Sequence, residues 1–279
     1  MLLCNKYTTK FYMKNIAFEN KYAVITGASG GLGRSYAMEL AKRGINIILI
    51  ALPDTGLENI AQDISKSGVK CVCLEADLIN EVEMLALTQK LAAYNIAILI
   101  NNVGIGGSCS FCETDFSKIQ NIIHLNIGVT TKLIHSISPI MIKNGGGYIL
   151  NVASMAAMTA SGWKSVYPAS KRYILDLSRG LHYELKHQNI QVSVVLPGPM
   201  RTNADVCKRI DNQGIFGRLT VQRPEFVARR SINAMLRGKC VIVPGIKNKI
   251  YKFLLDIVPK SFTIPLVSKI TSREVLTNR

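Results

Sequence analysis

Seven short apolar segments, rich in Val, Ile and Leu, alternate along the chain with longer segments of helical composition. The apolar segments span 22–26, 45–50, 69–74, 96–100, 148–153, 191–196 and 240–243. They lack the polar alternation of a strand with one wet face, so we predict strands buried on both faces. A helix after each strand is typical of a parallel sheet covered on both sides. We therefore expect an α/β fold, a doubly wound Rossmann-type sheet of seven parallel strands in a single domain.

The predicted helices between these strands set the domain limits. They span 32–42, 55–66, 80–93, 115–143, 165–187 and 224–237. We expect the domain over residues 18–245, an N-terminal extension over 1–17 with a tendency to disorder, and a basic amphipathic tail over 246–279. Ordered sequence is predicted to begin shortly after Met13, which is a plausible alternative start.

Composition excludes several classes of protein. Of 279 residues, 48% are hydrophobic and 19% are charged, a balance that excludes intrinsic disorder. A chain of this length buries enough surface to fold without a disulfide or a metal. No apolar run is long enough to span a membrane, and no secretory signal is recognisable. Cys109 and Cys112 form a lone pair of cysteines without further ligands at zinc spacing, so we expect no metal site and free thiols.

A glycine-rich turn follows the first predicted strand. Its glycines Gly27, Gly31 and Gly33 have the spacing Gly-x-x-x-Gly-x-Gly, and a helix is predicted to start among them. Glycine lets the backbone approach a pyrophosphate closely, and a helix N-terminus offers free N–H groups and partial positive charge. The position between a first strand and a first helix indicates a dinucleotide site rather than an ordinary glycine turn.

Tyr167 and Lys171 are four residues apart on a predicted helix and therefore share one face. The Lys171 ammonium favours tyrosinate and so lowers a tyrosine pKa that is normally ~10. A tyrosine of that kind can donate or accept a proton near neutral pH. The spacing alone is a weak signal, because a surface tyrosine beside a solvated lysine would also show it.

Two further polar residues support a catalytic site. Ser154 comes at the carboxyl end of the fifth strand, where a hydroxyl can stabilise charge on a substrate oxygen. Asn126 falls inside the helix predicted over 115–143, and since Asn is unfavourable there, we expect a local kink or a bound water. The glycine turn, Asp77, Asn102, Ser154 and Pro197 all follow strand carboxyl ends, the edge at which open α/β sheets bind ligands.

Together these segments resemble the short-chain dehydrogenase/reductase family over roughly residues 18–245, with Val103 where the family has alanine. The resemblance implies cofactor contacts from Gly27, Ser29, Gly31, Leu32, Gly33, Asp77, Leu78, Asn102, Val103, Gly104, Tyr167, Lys171, Pro197, Gly198, Met200 and Thr202. Within that set, the glycine turn would hold the diphosphate, Asp77 the adenine and Thr202 the nicotinamide carboxamide.

The resemblance also implies a mechanism, with hydride transfer between nicotinamide and a carbonyl or alcohol carbon. Tyr167 would be the acid/base, and Ser154 would hold the substrate oxygen. Lys171 would lower the tyrosine pKa and bind the nicotinamide ribose. Asn126 would hold a water that bridges to the lysine. We expect an active NAD(P)-dependent enzyme; the alternative is a cofactor-binding regulatory or scaffold protein on the same fold.

The end of the second strand bears on the choice of cofactor. An acid there would bind the ribose 2′-OH and favour NAD, yet none occurs before Asp54. The family's usual basic positions hold Gly30 and Leu52, while Arg34 and Ser29 could assist. We therefore expect NADP, with NAD as the alternative.

The substrate cleft is expected along 105–115, 155–163 and the segment after Thr202. Met155, Met158 and Trp163 make it apolar. We predict a lipophilic ketone, such as a 3-oxoacyl chain or a steroid-like compound, ahead of a sugar or polyol. We also expect a homo-oligomer, dimer or tetramer.

The positive charge lies mostly near the C-terminus. The net charge is +16, and residues 201–279 hold sixteen basic and five acidic side chains. This favours a phosphate-bearing acyl carrier or an anionic membrane as partner and argues against nucleic acid. We predict a cytoplasmic protein. Its tail, two short helices separated by Pro259, either packs on the domain or contacts a membrane peripherally.

Overall fold

The computed structural model describes residues 18–201 and 221–276, and within them seven parallel strands form one sheet. The strands are β1 (Tyr22–Thr26), β2 (Asn46–Ala51), β3 (Cys71–Glu75), β4 (Ile96–Asn101), β5 (Gly147–Val152), β6 (Ile190–Val195) and β7 (Val241–Ile242). Their order is β3-β2-β1-β4-β5-β6-β7. The predicted fold class is confirmed. The expected N-terminal extension over 1–17 and the predicted cofactor contact Thr202 lie outside the described residues.

Helices cover both faces of the sheet. They are α1 (Gly31–Ala41), α2 (Leu57–Ser65), α3 (Glu81–Leu91), α4 (Phe116–Ile123), α5 (Thr130–Lys143), α6 (Val166–Glu184) and α7 (Pro224–Leu236). Side chains of α1, α2 and α7 join one buried cluster, and those of α3 and α5 join another. Strands β2, β4, β5 and β6 are buried along their whole length, which explains their unbroken apolar sequences.

The long helix predicted over 115–143 is interrupted. Residues His124–Val129 form a π-helical segment between α4 and α5, and Asn126 lies within it. Single-turn π segments inside α-helices are rare, and they are frequent at functional sites. The local irregularity expected at Asn126 is therefore present, as a π segment.

Two helices follow β7, on either side of Pro259. They are α8 (Ile246–Ile257) and α9 (Lys260–Leu276). Leu255 of α8 packs in a third buried cluster with Met155 and Met158, close to the carboxyl edge of the sheet. Among the helices of residues 18–201 and 221–276, none is long and apolar enough to cross a membrane.

Candidate active site

A cleft of about 870 Å³ opens at the carboxyl edge of the sheet. The chain crosses over between β1 and its neighbour β4, and loops that leave the sheet there diverge to leave a crevice. Of the predicted site residues, Gly27, Ser29, Gly31, Leu32, Asn102, Gly104, Ser154, Tyr167, Lys171, Pro197, Gly198 and Met200 line it. Residues predicted on five separate loops and helices thus meet in one place.

The glycine turn is fastened to the end of β4 by Asn102. The Asn102 side chain donates to the backbone oxygens of Thr26 and Gly27 at 3.0 and 3.1 Å. In return, the Thr26 hydroxyl accepts from the backbone N–H groups of Asn102 and Val103 at 3.0 and 3.1 Å. Asn102 therefore fixes the shape of the turn, a positioning role for its side chain.

Two glycines of the turn occupy places where a side chain would not fit. Gly27 has a φ of 61°, in the left-handed region, and a Cβ on Gly33 would collide with the Gly27 carbonyl oxygen. The first turn of α1 carries no acidic side chain that would repel an anion. Free N–H groups at a helix N-terminus beside an open cleft suit a dinucleotide phosphate, so the residues present fit a nicotinamide dinucleotide.

Lys171 is buried beneath the cleft, with 5% of its surface exposed. Its Nζ donates to the Val152 carbonyl oxygen at 2.9 Å. Burial lowers the pKa of Lys171 to about 8, because desolvation disfavours the ammonium. A Cβ on Gly104 would lie 2.9 Å from this Nζ, so the glycine keeps the space in front of the lysine open.

Two ammonium groups flank the ring of Tyr167. Lys171 Nζ lies 5.9 Å from the ring centroid, one turn along α6, as the spacing predicts. Lys164 Nζ lies 5.4 Å from the same centroid and also lines the cleft. Lys164 is a residue that the sequence motifs do not single out, because it precedes α6 in an irregular loop. A Cβ on Gly106 would run into the Tyr167 ring, so this glycine gives the ring its place.

Asn126 is fully buried, and its side chain bonds to Ile105 and Ser170. Its Oδ1 accepts from the Ile105 N–H at 2.9 Å, and its Nδ2 donates to the Ile105 oxygen and to Ser170 Oγ, each at 2.9 Å. Ser170 Oγ donates to the Tyr167 carbonyl oxygen at 2.8 Å. Asn126 therefore joins the loop after β4 to the helix that carries Tyr167. Ser170, between the two motif residues, was not predicted.

The remaining cleft wall is held from behind by Gln222. Its Oε1 accepts from the Gly198 N–H at 3.1 Å, its backbone N–H donates to the Pro199 oxygen at 2.9 Å, and its Nε2 donates to the Pro244 oxygen at 2.7 Å. Gln222 has no motif around it, so only the folded chain reveals this supporting role.

Ser154 also lines the cleft. Its Oγ accepts from the Ala156 N–H at 3.1 Å and caps a short helical turn.

Four predicted cofactor contacts do not line the cleft: Gly33, Asp77, Leu78 and Val103. Leu78 is buried in the core beneath the sheet. Asp77 caps its own loop, with Oδ1 accepting from the Ile79 N–H at 3.0 Å. Gly33 acts by its close approach to the glycine turn.

A smaller cavity of about 360 Å³ adjoins the cleft and shares Ile105, Gly106, Lys164 and Tyr167 with it. Phe111, Ile119, Ile122 and Val166 make it largely apolar. The predicted segment 105–115 therefore does border the site. Cys109 also borders it, and both Cys109 and Cys112 are free thiols. Within residues 18–201 and 221–276, no group of three or more metal-ligating side chains occurs.

The C-terminal helix α9 forms one wall of the main cleft, through Val267, Ile270, Thr271 and Glu274. It is held there by polar contacts to the loop that precedes α6. Ser268 Oγ accepts from the Gly162 N–H at 2.8 Å, and Thr271 Oγ1 lies 2.8 Å from Ser161 Oγ. The sequence did not predict this wall, since nothing in an amphipathic tail indicates which surface it covers.

The end of β2 carries neither an acid nor a base toward the expected ribose. Leu52 is 53% exposed there. Arg34, a residue that could assist with a 2′-phosphate, pairs with Asp63 of α2 at 2.9 Å, and both side chains are solvent-accessible. An exposed pair of this kind is weak and can exchange for another anion.

Known proteins are similar to most of this chain. Residues 21–213 match the family model of the short chain dehydrogenases. Hydroxysteroid dehydrogenase-like protein 1 of Gallus gallus is 33% identical over 70% of this chain and 60% of its own length. A very-long-chain 3-oxoacyl-CoA reductase-like protein of Arabidopsis thaliana is 30% identical over 91% of this chain and 82% of its own.

A solved structure is similar over most of its length. It is the short-chain dehydrogenase from Sphingobium yanoikuyae in complex with NADPH, which is 29% identical and has a TM-score of 0.73. The match covers 86% of this chain and 96% of that one. The match to the Gallus relative, by contrast, spans less than two thirds of that protein. Family model, relatives and fold agree, and the chain belongs to the short-chain dehydrogenase/reductase family.

Proposed function

We propose that the protein is an NADP(H)-dependent oxidoreductase that interconverts the carbonyl and alcohol forms of a lipophilic substrate. The observation that carries this proposal is that Tyr167, Lys171 and Ser154 line the same cleft as the glycine turn. The names of the relatives, which refer to 3-oxoacyl-CoA reduction and to hydroxysteroid dehydrogenation, support the same class of reaction.

The chemistry divides between cofactor and protein. Nicotinamide, when bound, supplies or accepts the hydride. In the reductive direction, the Tyr167 hydroxyl gives its proton to the forming alcohol oxygen, and the Ser154 hydroxyl donates a hydrogen bond to that oxygen. The nearby ammonium groups of Lys171 and Lys164 favour the phenolate that this transfer leaves behind.

Resupply of the proton is assigned to Lys171. In the oxidative direction the proton moves the opposite way, from the substrate alcohol to Tyr167. Lys171, with a pKa of about 8, can release a proton close to physiological pH. A water held near Asn126 would connect this lysine to solvent. Because the Asn126 amide is bonded to Ile105 and Ser170, we assign the side chain to positioning and the water contact to the backbone of the π segment.

The cofactor is proposed to be NADP, with NAD as the alternative. The structural relative from Sphingobium yanoikuyae was solved with NADPH, which supports this order. The absence of an acid at Ala51 and Leu52 removes the group that would repel a 2′-phosphate. Arg34, on the first turn of α1, is the cation that directly follows the glycine turn in sequence.

The substrate is proposed to be an apolar ketone of the 3-oxoacyl or steroid-like type. The cavity next to Tyr167 is lined by Phe111, Ile119 and Ile122, which would bury apolar surface and offer little to a polyol. Lys118 and Lys164 also border this cavity, so a phosphate-bearing acyl carrier is the form of 3-oxoacyl substrate that the site favours.

We also propose a homo-oligomer, dimer or tetramer, in the cytoplasmic compartment. Phe116 and Ile123 on α4 and Tyr173 on α6 are exposed on neighbouring helices, an apolar surface that a second subunit could cover. Sedimentation of the purified protein measures the subunit number.

The alternative function is that of a regulatory or scaffold protein. Such a protein would bind the cofactor but would show no turnover.

One experiment tests the function directly. Purified protein is mixed with NADPH and a panel of long-chain 3-oxoacyl thioesters, steroid ketones and sugars, and oxidation of NADPH is followed. We expect turnover of apolar ketones and its near-complete loss in Tyr167→Phe, with NADPH binding unchanged. Tyr183→Phe, at an exposed tyrosine on the same helix, is the matched control and should keep full activity. Preference for sugars, or full turnover by Tyr167→Phe, would overturn the proposal.

A further inference from the structure

Helix α8 turns its apolar stripe toward solvent. The stripe consists of Ile246, Ile250, Phe253, Leu254 and Ile257, at the spacing i, i+4, i+7, i+8 and i+11. Each of these side chains is between 47% and 75% exposed. A helix docked on a soluble domain normally buries such a stripe. Here the side chains that face the domain are instead Asn248, Tyr251 and Leu255.

Helix α9 also exposes large apolar side chains. Phe262 and Leu266, one turn apart, are 69% and 59% exposed. The contacts that hold α9 to the domain are made mainly by polar groups, Ser268, Thr271 and Glu274. The outer tail face, which we define as the five residues of the α8 stripe with Phe262 and Leu266, is thus a group of seven exposed large apolar side chains. Apolar groups of this size mark interaction sites.

A basic rim surrounds the outer tail face. Residues 246–276 hold six basic and two acidic side chains. Of the two acids, Glu274 is buried and Asp256 pairs with Lys252. Lys247, Lys249, Lys269 and Arg273 are exposed around the apolar group. Apolar side chains ringed by Lys and Arg are the pattern by which amphipathic helices lie in the interface of an anionic membrane.

The opposite sides of these two helices line the active-site cleft. Tyr251 of α8 and Val267, Ile270 and Glu274 of α9 border the cavity that also holds Tyr167. The same two helices therefore separate the cleft from the outer tail face.

We propose that the outer tail face seats in the surface of an anionic phospholipid bilayer and that the enzyme takes its lipophilic substrate from that bilayer. The second half of this inference rests on the function proposed above, and the first half does not. A second copy of the chain is the less favoured occupant. A two-fold contact through this face would gather Lys247, Lys249 and Lys269 of both subunits in one interface, whereas anionic headgroups neutralise them.

Vesicle binding by the full-length, cofactor-free protein tests the docking. Vesicles are made of phosphatidylcholine alone or mixed with phosphatidylserine, and the bound fraction is measured by co-sedimentation. We expect binding to the mixed vesicles that is roughly tenfold or more tighter than to phosphatidylcholine alone, and that weakens with salt. The double variant Phe253→Asp with Phe262→Asp should lose it.

The matched control places the same two charges on another surface. Val82 and Leu85 of α3 are 78% and 55% exposed, far from the tail in sequence and on a helix that packs against the sheet. The Val82→Asp, Leu85→Asp protein carries the same net charge and should bind vesicles like wild type. Equal binding by the two double variants would overturn the docking. A second outcome would also overturn it: the wild-type protein is a dimer that binds no vesicles, and only the tail substitutions dissociate that dimer.

Activity separates this inference from the proposed function. With a long-chain ketone embedded in the mixed vesicles, the tail variant should lose roughly tenfold or more in rate, and with a short water-soluble ketone it should match wild type. Vesicle binding without turnover of any ketone would leave the docking in place and remove the function. Equal rates on embedded ketone for tail variant and wild type would show that substrate does not arrive through the bilayer.

Discussion

The side chain of Asn126 and the backbone of Ile105 form two reciprocal hydrogen bonds, each 2.9 Å long. Asn126 belongs to the π segment between α4 and α5, and Ile105 belongs to the loop that borders both cavities. A third bond, from Asn126 to Ser170, continues to the helix of Tyr167. The loop on the substrate side and the catalytic helix are therefore aligned through one buried amide.

Replacement of that amide should damage both stability and turnover. In Asn126→Ala, the N–H and carbonyl of Ile105 lose their buried partner, and each unsatisfied group costs about 1–3 kcal/mol. We expect the free energy of unfolding to fall by about 2 kcal/mol or more on this basis. Because the loop then moves relative to Tyr167, kcat should fall by up to roughly 100-fold. Chemical denaturation and steady-state kinetics measure the two effects.

The control for this prediction lies on the neighbouring helix. Gln120 of α4 is exposed, so Gln120→Ala should leave both quantities close to wild type. An Asn126→Ala protein with wild-type kcat would show that the loop is aligned by other contacts.

The sheet was predictable because its sequence is locally consistent. Each strand is a short apolar run, and the predicted boundaries of β1, 22–26, agree with Tyr22–Thr26. The Tyr167 and Lys171 spacing, the glycine turn and Ser154 were predictable for a related reason, since each sits at a fixed offset from a strand end or along a helix. Local periodicity determines all of these.

The supporting contacts were not predictable because they join residues far apart in sequence. Gln222 reaches Gly198, Ser268 reaches Gly162, and Lys164 approaches Tyr167 from an irregular loop. None of these contacts leaves a periodic trace. The tail shows the same limit, because the sequence leaves open whether it packs on the domain or contacts a membrane, and only the fold shows that the apolar stripe of α8 faces solvent.

The buried ammonium of Lys171 should give the cofactor-free protein a distinct pH dependence. Its pKa is about 8 in the folded chain, against an ordinary value of 10.5. Between these two values the unfolded state binds more protons, so the free energy of unfolding should rise as pH rises from 8 to 10.5, by roughly 3 kcal/mol from this group. Below pH 8 the penalty for burying the charge is fully present.

The difference between wild type and Lys171→Met isolates this contribution. Other groups oppose it, since burial raises the pKa of Cys71 to about 12 and so makes the protein less stable at high pH. They are common to both proteins and cancel. Denaturant titrations at a series of pH values should give a difference that rises through this window. A flat or falling difference would mean that Lys171 is solvated in solution.

The choice of cofactor should respond to Leu52. This residue follows β2 and is half exposed, at the position where the family often carries a base. Leu52→Arg places a guanidinium beside the expected 2′-phosphate, and we expect the KM for NADPH to fall roughly tenfold with little change for NADH. Leu52→Asp should shift preference toward NADH, because a carboxylate binds the ribose 2′-OH and repels phosphate.

Leu52→Met is the neutral control and should leave the ratio of the two KM values unchanged. An equal effect of Leu52→Arg on NADPH and NADH would place the ribose elsewhere in the cleft. Initial rates with both cofactors, at saturating ketone, measure the ratio directly.

The contact between Glu274 and Ser108 should control access of long substrates. The Glu274 carboxylate is buried, lines the cleft and accepts a hydrogen bond from Ser108 Oγ, which joins α9 to the loop after β4. Glu274→Ala removes a hydrogen bond to a charged group, a contact worth about 1.5–3 kcal/mol. We expect α9 to loosen from the loop and the KM for long apolar ketones to rise roughly tenfold. For a short ketone kcat and KM should change little, since the reacting groups at Tyr167 are untouched.

Glu274→Gln keeps an oxygen acceptor for Ser108 and should retain near-wild-type KM values. A Glu274→Ala protein that loses kcat equally on short and long ketones would assign this carboxylate to the chemistry instead of to the wall of the cleft.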